Sequence, residues 1–439
     1  MLLEFQTVNY LSFRENNKLS MLASSSKSKK EPTDSIIEKN KYRILSSVAL
    51  YGANASGKSN FLHAINFMKK MIFESARESR IGEEINVKGF RLNSSCDQQP
   101  SIFEITFLVS DVEYKNEKKD VVFRYGFEAD REKIHSEWLF GRFTSQESKL
   151  FIRTENDIKI GEKFVEGKKV YNTIGDINQT ALFLSLIASL KGKSASTTDS
   201  IITWFRKLQD ISGIGDERIY GITADLMENS NFKNQVIKAM CYADICIEDL
   251  SIKKKPLDLK KLPKFIQNDL EQKGATNLHE LVLKSYHNKY DENKKIVGVE
   301  EFNFDREESD GSKKFFALIG PVLDALNNGC VLVIDEIDAR LHPNLCELLI
   351  NLFNSKDINK NSAQLLFSTH NTNIMNRRML RRDQIYFVEK DKYGESELHS
   401  LYDYKKVRDD ASYDKDYLLG KYGAIPYLKS FESLLSEEL

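Results

Sequence analysis

Apolar and polar positions alternate from Leu2 to Phe13, the period-two pattern of a strand or hairpin with one buried face. A polar run from Ser24 to Ser35 (SSSKSKKEPTDS) predicts an exposed loop. Ile44 to Tyr51 (ILSSVALY) is a short apolar run that halts at a glycine-bearing turn. It gives way to FLHAINFMKKMIF, whose apolar residues recur at helical spacing. From Ser101 to Phe143 the period is β again, with SIFEITFLVS, VVFRYGFEAD and KIHSEWLFGRF divided by charged turns into an antiparallel meander. Between Ile177 and Leu283 the texture turns helical (ALFLSLIASL, IITWFRKLQDI, NFKNQVIKAM) and includes a lysine-rich linker, SIKKKPLDLKKLPKF. Strand-like runs resume between Glu301 and Glu389, and a tail from Leu401 to Leu439 ends in a short acidic helix; no internal repeat is visible.

These segments predict an α/β fold with four parts: residues 1–176 and 301–400 as the two halves of one mixed-sheet head, 177–300 as an inserted helical lobe, and 401–439 as a tail packing on the head. At 439 residues the chain can bury a large core, and seven prolines argue against long disordered linkers. Its 64 basic and 65 acidic side chains nearly cancel, so no global field draws it to nucleic acid or to a membrane. The cysteines (Cys96, Cys241, Cys246, Cys330, Cys346) form no CxxC pair and have no histidine at zinc spacing, which fits small buried thiols in a reducing compartment. MLLEFQTVNYLSF lacks a basic leader and an apolar core, and no long apolar span follows, so the expectation is a cytoplasmic protein with no membrane partner.

The most specific chemistry lies in Gly52-Ala53-Asn54-Ala55-Ser56-Gly57-Lys58-Ser59, with Asn60 entering the helix that follows. Glycines at the first and sixth places let backbone N–H groups face a phosphate chain. The helix start adds its positive dipole end, Lys58 reaches the β- and γ-phosphates, and the Ser59 hydroxyl ligates magnesium. CVLVIDEID, Cys330 to Asp338, is a buried-strand pattern ending in paired carboxylates. Asp335 is thereby placed for the magnesium shell, and Glu336, one residue on, for orienting or deprotonating the attacking water. QLLFSTHN, Gln364 to Asn371, ends a further β-run in His370, which beside a phosphate can donate to a γ-phosphate oxygen.

Ser309-Asp310-Gly311-Ser312-Lys313-Lys314 precedes the apolar-periodic helix FFALIGPVLDAL. Ser309 there reads as an N-cap. A functional reading stands beside it: this helix start, with Ser309 and Gly311 exposed, presents to the γ-phosphate held by a second subunit. The lysines at 253, 254, 255, 260, 261 and 264 likewise read either as a solvated face or as contacts to DNA phosphates.

A P-loop, a Ser-x-Gly segment, an aliphatic strand ending in Asp-Glu and a strand-end histidine, in that order, resemble the ABC-type ATPase heads of SMC, RecF and OLD proteins. The phrases LEFQTVNYLSFRE, VLVIDEIDARLHP, RRDQIYFVEKD and VRDDASYDKDYLLGKYGAIP are closer still to the AAA/ABC ATPases of bacterial abortive-infection systems. The resemblance implies an ABC-type P-loop ATPase head that uses ATP and Mg2+. In it Lys58 and Ser59 serve as Walker A residues, Asp335 as the Walker B aspartate, Glu336 as the catalytic glutamate and His370 as the switch histidine. It also makes Ser309 and Gly311 a signature pair acting in trans, and puts Asp338 and Arg340 on a loop crossing the dimer interface. The signature reads SDGSKK rather than a doubled-glycine form, and the Q-loop glutamine is not placed beyond Gln98 or Gln99.

An ABC site is incomplete in one chain, which implies a homodimer or higher homo-oligomer closing around ATP. The compact insert argues for a soluble machine rather than a transporter. After the Phe387 strand too few residues remain for a Toprim nuclease of about 100 residues. The resemblance therefore implies a separately encoded effector of nuclease or Toprim type, with this chain as sensor or switch of an anti-phage system. A DNA-binding ATP clamp of the SMC or RecF kind is the alternative.

Overall fold

The computed structural model describes residues 1–25, 31–78, 84–96, 98–155, 157–174, 177–190, 196–212, 216–243, 245, 247–256, 264, 267, 279–405, 407 and 411–426. They fall into two units, one of residues 1–213, 325–338 and 350–439, the other of residues 214–324 and 339–349.

The first unit contains a six-stranded sheet in the order Leu208–Ser212, Val331–Asp335, Gln364–Ser368, Ser47–Tyr51, Ile385–Lys390, Ser396–Ser400. The first five strands run parallel and the last pairs antiparallel. Ser47–Tyr51 and Gln364–Ser368 are buried at every position, which is why both read as unbroken apolar runs rather than alternating ones. Parallel pairing brings their C-terminal ends to one edge of the sheet. In open α/β sheets ligands bind outside that edge.

The unit also holds a seven-stranded antiparallel sheet, in the order Asp157–Ile160, Ser148–Thr154, Ile134–Arg142, Glu117–Ala129, Ser101–Tyr114, Leu2–Val8, Asn17–Ser20. It extends the expected meander by two strands past Phe143. Alternation is visible in Phe103, Ile105 and Phe107, all buried, between the half-buried Ile102, Glu104 and Thr106. The helix Lys58–Glu78 touches strands of both sheets and buries Phe61, Leu62, Ile65, Met68 and Ile72 at helical spacing. Phe61 meets the rings of Phe5 and Phe13 edge-on, each at 5.6 Å. Gln364 ties the sheets together: its Oε1 accepts from Leu2 N–H at 2.6 Å, and its Nε2 donates to Leu2 O at 3.0 Å and Leu45 O at 3.1 Å.

Two segments differ from the helical texture expected between residues 177 and 300. Leu208–Ser212 is a strand pairing in parallel with Val331–Asp335. In the second unit Asp249–Pro256, His279–Tyr290 and Ile296–Asn303 form an antiparallel three-stranded sheet. Helices Asp216–Leu226 and Ser230–Tyr242 also lie there. Helices Phe183–Leu190 and Ser196–Arg206 belong to the first unit. Cys96, Cys330 and Cys346 are buried, but Cys241, also expected inside, is exposed; Cys246 lies outside the described residues.

Toward the C-terminus, Tyr417 and Tyr422 stack on Phe387 at 5.3 and 5.5 Å, and Tyr417 also lies 6.1 Å from Tyr51 at the end of the P-loop strand. The short acidic helix expected at the end of the tail lies outside the described residues. No described helix is long and apolar enough to cross a membrane.

Candidate functional site

The parallel strand Ser47–Tyr51 delivers the chain to Gly52, and the helix starts at Lys58. Between them Gly57 has φ +117°, and a Cβ there would lie 2.5 Å from Ser396 Oγ and 2.8 Å from Ser12 Oγ. A Cβ on Gly52 would lie 2.3 Å from the Val388 carbonyl oxygen. Glycine is therefore required at both ends of the loop, once for conformation and twice for space. Ala55 adds a left-handed φ of 60°.

A strand and a turn fasten this loop and the start of its helix. Ser396 Oγ donates to Ser56 O at 2.6 Å, and Asn60 Nδ2 donates to Ser12 Oγ at 2.8 Å. Lys58 is only 5% exposed, and its Nζ donates to Gly52 O at 2.8 Å and Ala53 O at 3.0 Å. Asn54 and Ala55 are exposed at the rim, and Ser59 is half-buried. The Ser56 hydroxyl is buried with no hydrogen-bond partner among the described residues. An orphaned hydroxyl in a glycine-walled loop at a helix start fits a phosphate chain, whose oxygens accept what the loop donates.

Two strands away, Asp335 closes Val331–Asp335. Glu336 has φ 54°, uncommon for a glutamate. The backbone is fixed there by a relay. Glu336 N–H donates to Ser368 Oγ at 2.7 Å, and the Ser368 hydroxyl donates to Asp335 Oδ1 at 2.5 Å. Ile337, fully buried, adds an N–H bond to Ser368 O at 3.1 Å. The sequence pattern alone assigns Ser368 no role, although it stands two places before His370.

His370 follows on that same segment, and its backbone N–H donates to the Asp338 carboxylate at 3.2 Å and 3.4 Å. Partial burial first, and then the Lys58 charge, hold the His370 imidazole below its ordinary value, against opposing pulls from Asp338, Glu336 and Asp335. Burial likewise lowers Lys58, against Asp335, Glu336 and Asp338. The structure thus brings Lys58, Asp335, Glu336, Asp338 and His370 within electrostatic reach of one another, in one unit. Such a set can bind anionic phosphates, retain a divalent cation through Ser59 and Asp335, and place a carboxylate near a water.

Ser309 and Gly311 stand in the second unit, as does Arg340, whereas Asp338 belongs to the first. Ser309 Oγ accepts from Ser312 N–H at 3.0 Å, so the N-cap reading holds for the helix Asp310–Asn328. The cap does not account for Gly311. A Cβ there would meet only Ser309 Oγ at 3.8 Å and Arg340 O at 3.9 Å, both ordinary contacts.

Gln98 and Gln99 lie in the turn before Ser101, where Asn9 Nδ2 donates to Gln99 O at 2.7 Å. Of the lysine run, Lys254 is held by Asp225 at 2.8 Å and Glu228 at 2.6 Å, which raise its pKa. Lys253, Lys255 and Lys264 are exposed, and Lys260 and Lys261 lie outside the described residues.

Residues 47–376 match the family model described as "AAA domain, putative AbiEii toxin, Type IV TA system". The matched span begins with the P-loop strand and ends just past His370, so it includes each of the segments above that carry candidate phosphate chemistry. No curated protein matches the chain.

Proposed function

The chain belongs to this AAA-domain family and is a P-loop ATPase of the AAA/ABC type, and on that premise we propose that two copies close around ATP and reopen when it is hydrolysed. Lys58 and the loop from Asn54 to Asn60 hold the phosphates. Ser59 and Asp335 would hold Mg2+, which would supply charge neutralisation on the phosphate oxygens. Glu336 orients and deprotonates the attacking water, and His370 bonds the γ-phosphate. Ser309 and Gly311 of the second copy close the site. Loss of the γ-phosphate removes the bonds that join the copies, so the nucleotide acts as a timer.

The observation that carries this reading is the shared electrostatic neighbourhood of Lys58, Asp335, Glu336 and His370 at the carboxyl edge of the parallel strands. Glu336→Gln tests it. Turnover should fall by about 10²- to 10⁴-fold while ATP still binds, and a nucleotide-loaded dimer should accumulate on size exclusion. Normal turnover in that variant would remove Glu336 from the mechanism.

In the cell we propose a cytoplasmic sensor subunit of an abortive-infection system, controlling a separately encoded nuclease or Toprim effector. Two things support this: the toxin–antitoxin wording of the matched family, and the resemblance at both ends of the chain. Co-purification with the product of the neighbouring gene, and phage protection only from the pair, are the expected outcomes. Exposed Lys253 and Lys255 leave a second reading, an SMC- or RecF-like clamp on duplex DNA. That reading requires retention of duplex at low salt, lost steeply as salt rises.

A further inference from the structure

The two sides of His370 are held differently. Before it, the Thr369 N–H donates to Leu50 O at 3.1 Å, which continues the pairing of Gln364–Ser368 with Ser47–Tyr51. After it, the chain leaves the sheet for a short 3-10 turn, Thr372–Ile374. There the Tyr51 hydroxyl reaches across and donates to Asn371 O at 3.3 Å. That is long for a hydroxyl donor, so the strength of the bond depends on where the Tyr51 ring is held.

Residues 411–424 hold it. Tyr51 is buried, and its ring lies 6.1 Å from Tyr417 and 6.5 Å from Phe387. Tyr417 stacks on Phe387 with 14° between the rings, and its hydroxyl donates to Ala424 O at 3.1 Å. The same segment grips the chain again just past the 3-10 turn. Arg377 Nε donates to Ala411 O at 3.0 Å, and its guanidinium lies over the Tyr413 ring at 4.7 Å. The P-loop is fastened separately, by Ser396 Oγ on Ser56 O and by Lys58 Nζ on Gly52 O and Ala53 O.

We propose that Tyr51, Arg377 and the tail residues Tyr413 and Tyr417 are positioning residues for His370, an inference that rests on the role given to His370 in the proposed hydrolysis. Tyr417 fixes the Tyr51 ring, and with it the carbonyl that follows His370. Arg377 anchors the far end of the turn on the tail. The imidazole is thereby kept where it meets the γ-phosphate, while nucleotide is bound by a loop with fastenings of its own. Lost positioning of a reacting group shows in kcat.

Steady-state ATP turnover of the full chain, with its melting temperature, tests this. Tyr51→Phe, which removes only the hydroxyl, should lower kcat by about fivefold, the worth of one hydrogen bond, and leave KM within about twofold. Tyr417→Leu and Arg377→Ala should act alike, whereas Tyr417→Phe keeps the ring and Arg377→Lys keeps a cation and a donor, and both should retain most of the rate. The deciding measurement repeats Tyr51→Phe and Arg377→Ala in a His370→Gln chain. Residues that act through His370 should lower its residual turnover no further, since effects on one shared group are not additive. The proposal is overturned if Tyr51→Phe and Tyr417→Leu keep the parent kcat, if KM rises as kcat falls, or if the variants slow the His370→Gln chain as much as the parent. A parent-like rate in His370→Gln alone would remove His370 from the reaction, and this proposal with it.

Discussion

Two helices in this chain start beside candidate phosphate contacts, and their first turns are built in opposite ways. The helix Lys58–Glu78 begins inside its fold: Gly57 has no room for a Cβ, Lys58 is 5% exposed, and Ser396 and Ser12 press against the loop. The helix Asp310–Asn328 begins with Ser309 and Asp310 exposed, and its Gly311 has room for a side chain that is not there. In the first case packing within the chain explains the glycine. In the second it does not, and in the proposed dimer the nucleotide of the other copy would. In the proposed dimer one half of the site is preassembled, and the other half is presented.

Substituting the two glycines tests this contrast, and Gly57→Ala should have the larger effect. Its φ of +117° and the 2.5 Å approach to Ser396 Oγ require the loop to move. ATP binding should be lost, with a stability cost of about 1–3 kcal/mol in a denaturant titration. Gly311→Ala should leave the fold intact or stabilise it by about 0.5 kcal/mol, since alanine favours the helix. Turnover should nevertheless fall by on the order of tenfold, because the methyl group stands where the nucleotide of the other copy would dock. If Gly311→Ala loses stability and activity together, the contrast is broken.

Ser368→Ala sharpens the preassembled side. The Ser368 hydroxyl accepts from Glu336 N–H and donates to Asp335 Oδ1, so its removal should cost about 1–3 kcal/mol and lower turnover several-fold, with ATP binding largely retained.

The smallest effect concerns pH. Burial and Lys58 depress His370 below its ordinary 6.5, so the folded protein favours the neutral ring. The stability this contributes is fully present above pH 6.5 and is lost as pH falls from there through the depressed value. Melting temperatures between pH 7.5 and pH 5 should decline less steeply in His370→Gln than in the parent chain.

What could be read from sequence was whatever is compressed into a contiguous stretch. The P-loop, the apolar strand ending in Asp335-Glu336 and the run ending in His370 each carry their chemistry and their strand context within about ten residues. The partners that hold these groups come from far along the chain. Ser368 acts on Asp335 across a strand pair, and Ser396 reaches Ser56 from a strand near the other end. Neither contact leaves a local pattern. The strand Leu208–Ser212 was hidden because its apolar residues prolong the rhythm of the helix Ser196–Arg206 before it. SIKKKP reads as a linker because on an edge strand the exposed lysines break the alternation by which strands are recognised. The tail tyrosines Tyr417 and Tyr422 resemble scattered surface aromatics until Phe387 is seen between their rings.

In the proposed dimer the phosphates held by one copy are completed by the signature segment of another. The most direct measurement mixes two disabled chains, Lys58→Ala, which lacks the preassembled half, and Gly311→Asp, which sets a carboxylate where the presented half would meet phosphate. Each alone should be inactive. In mixed dimers one site is intact and the other doubly disabled, so an equal mixture should regain about a quarter of the parent ATPase rate. Activity no higher than the sum of the separate chains would contradict the account.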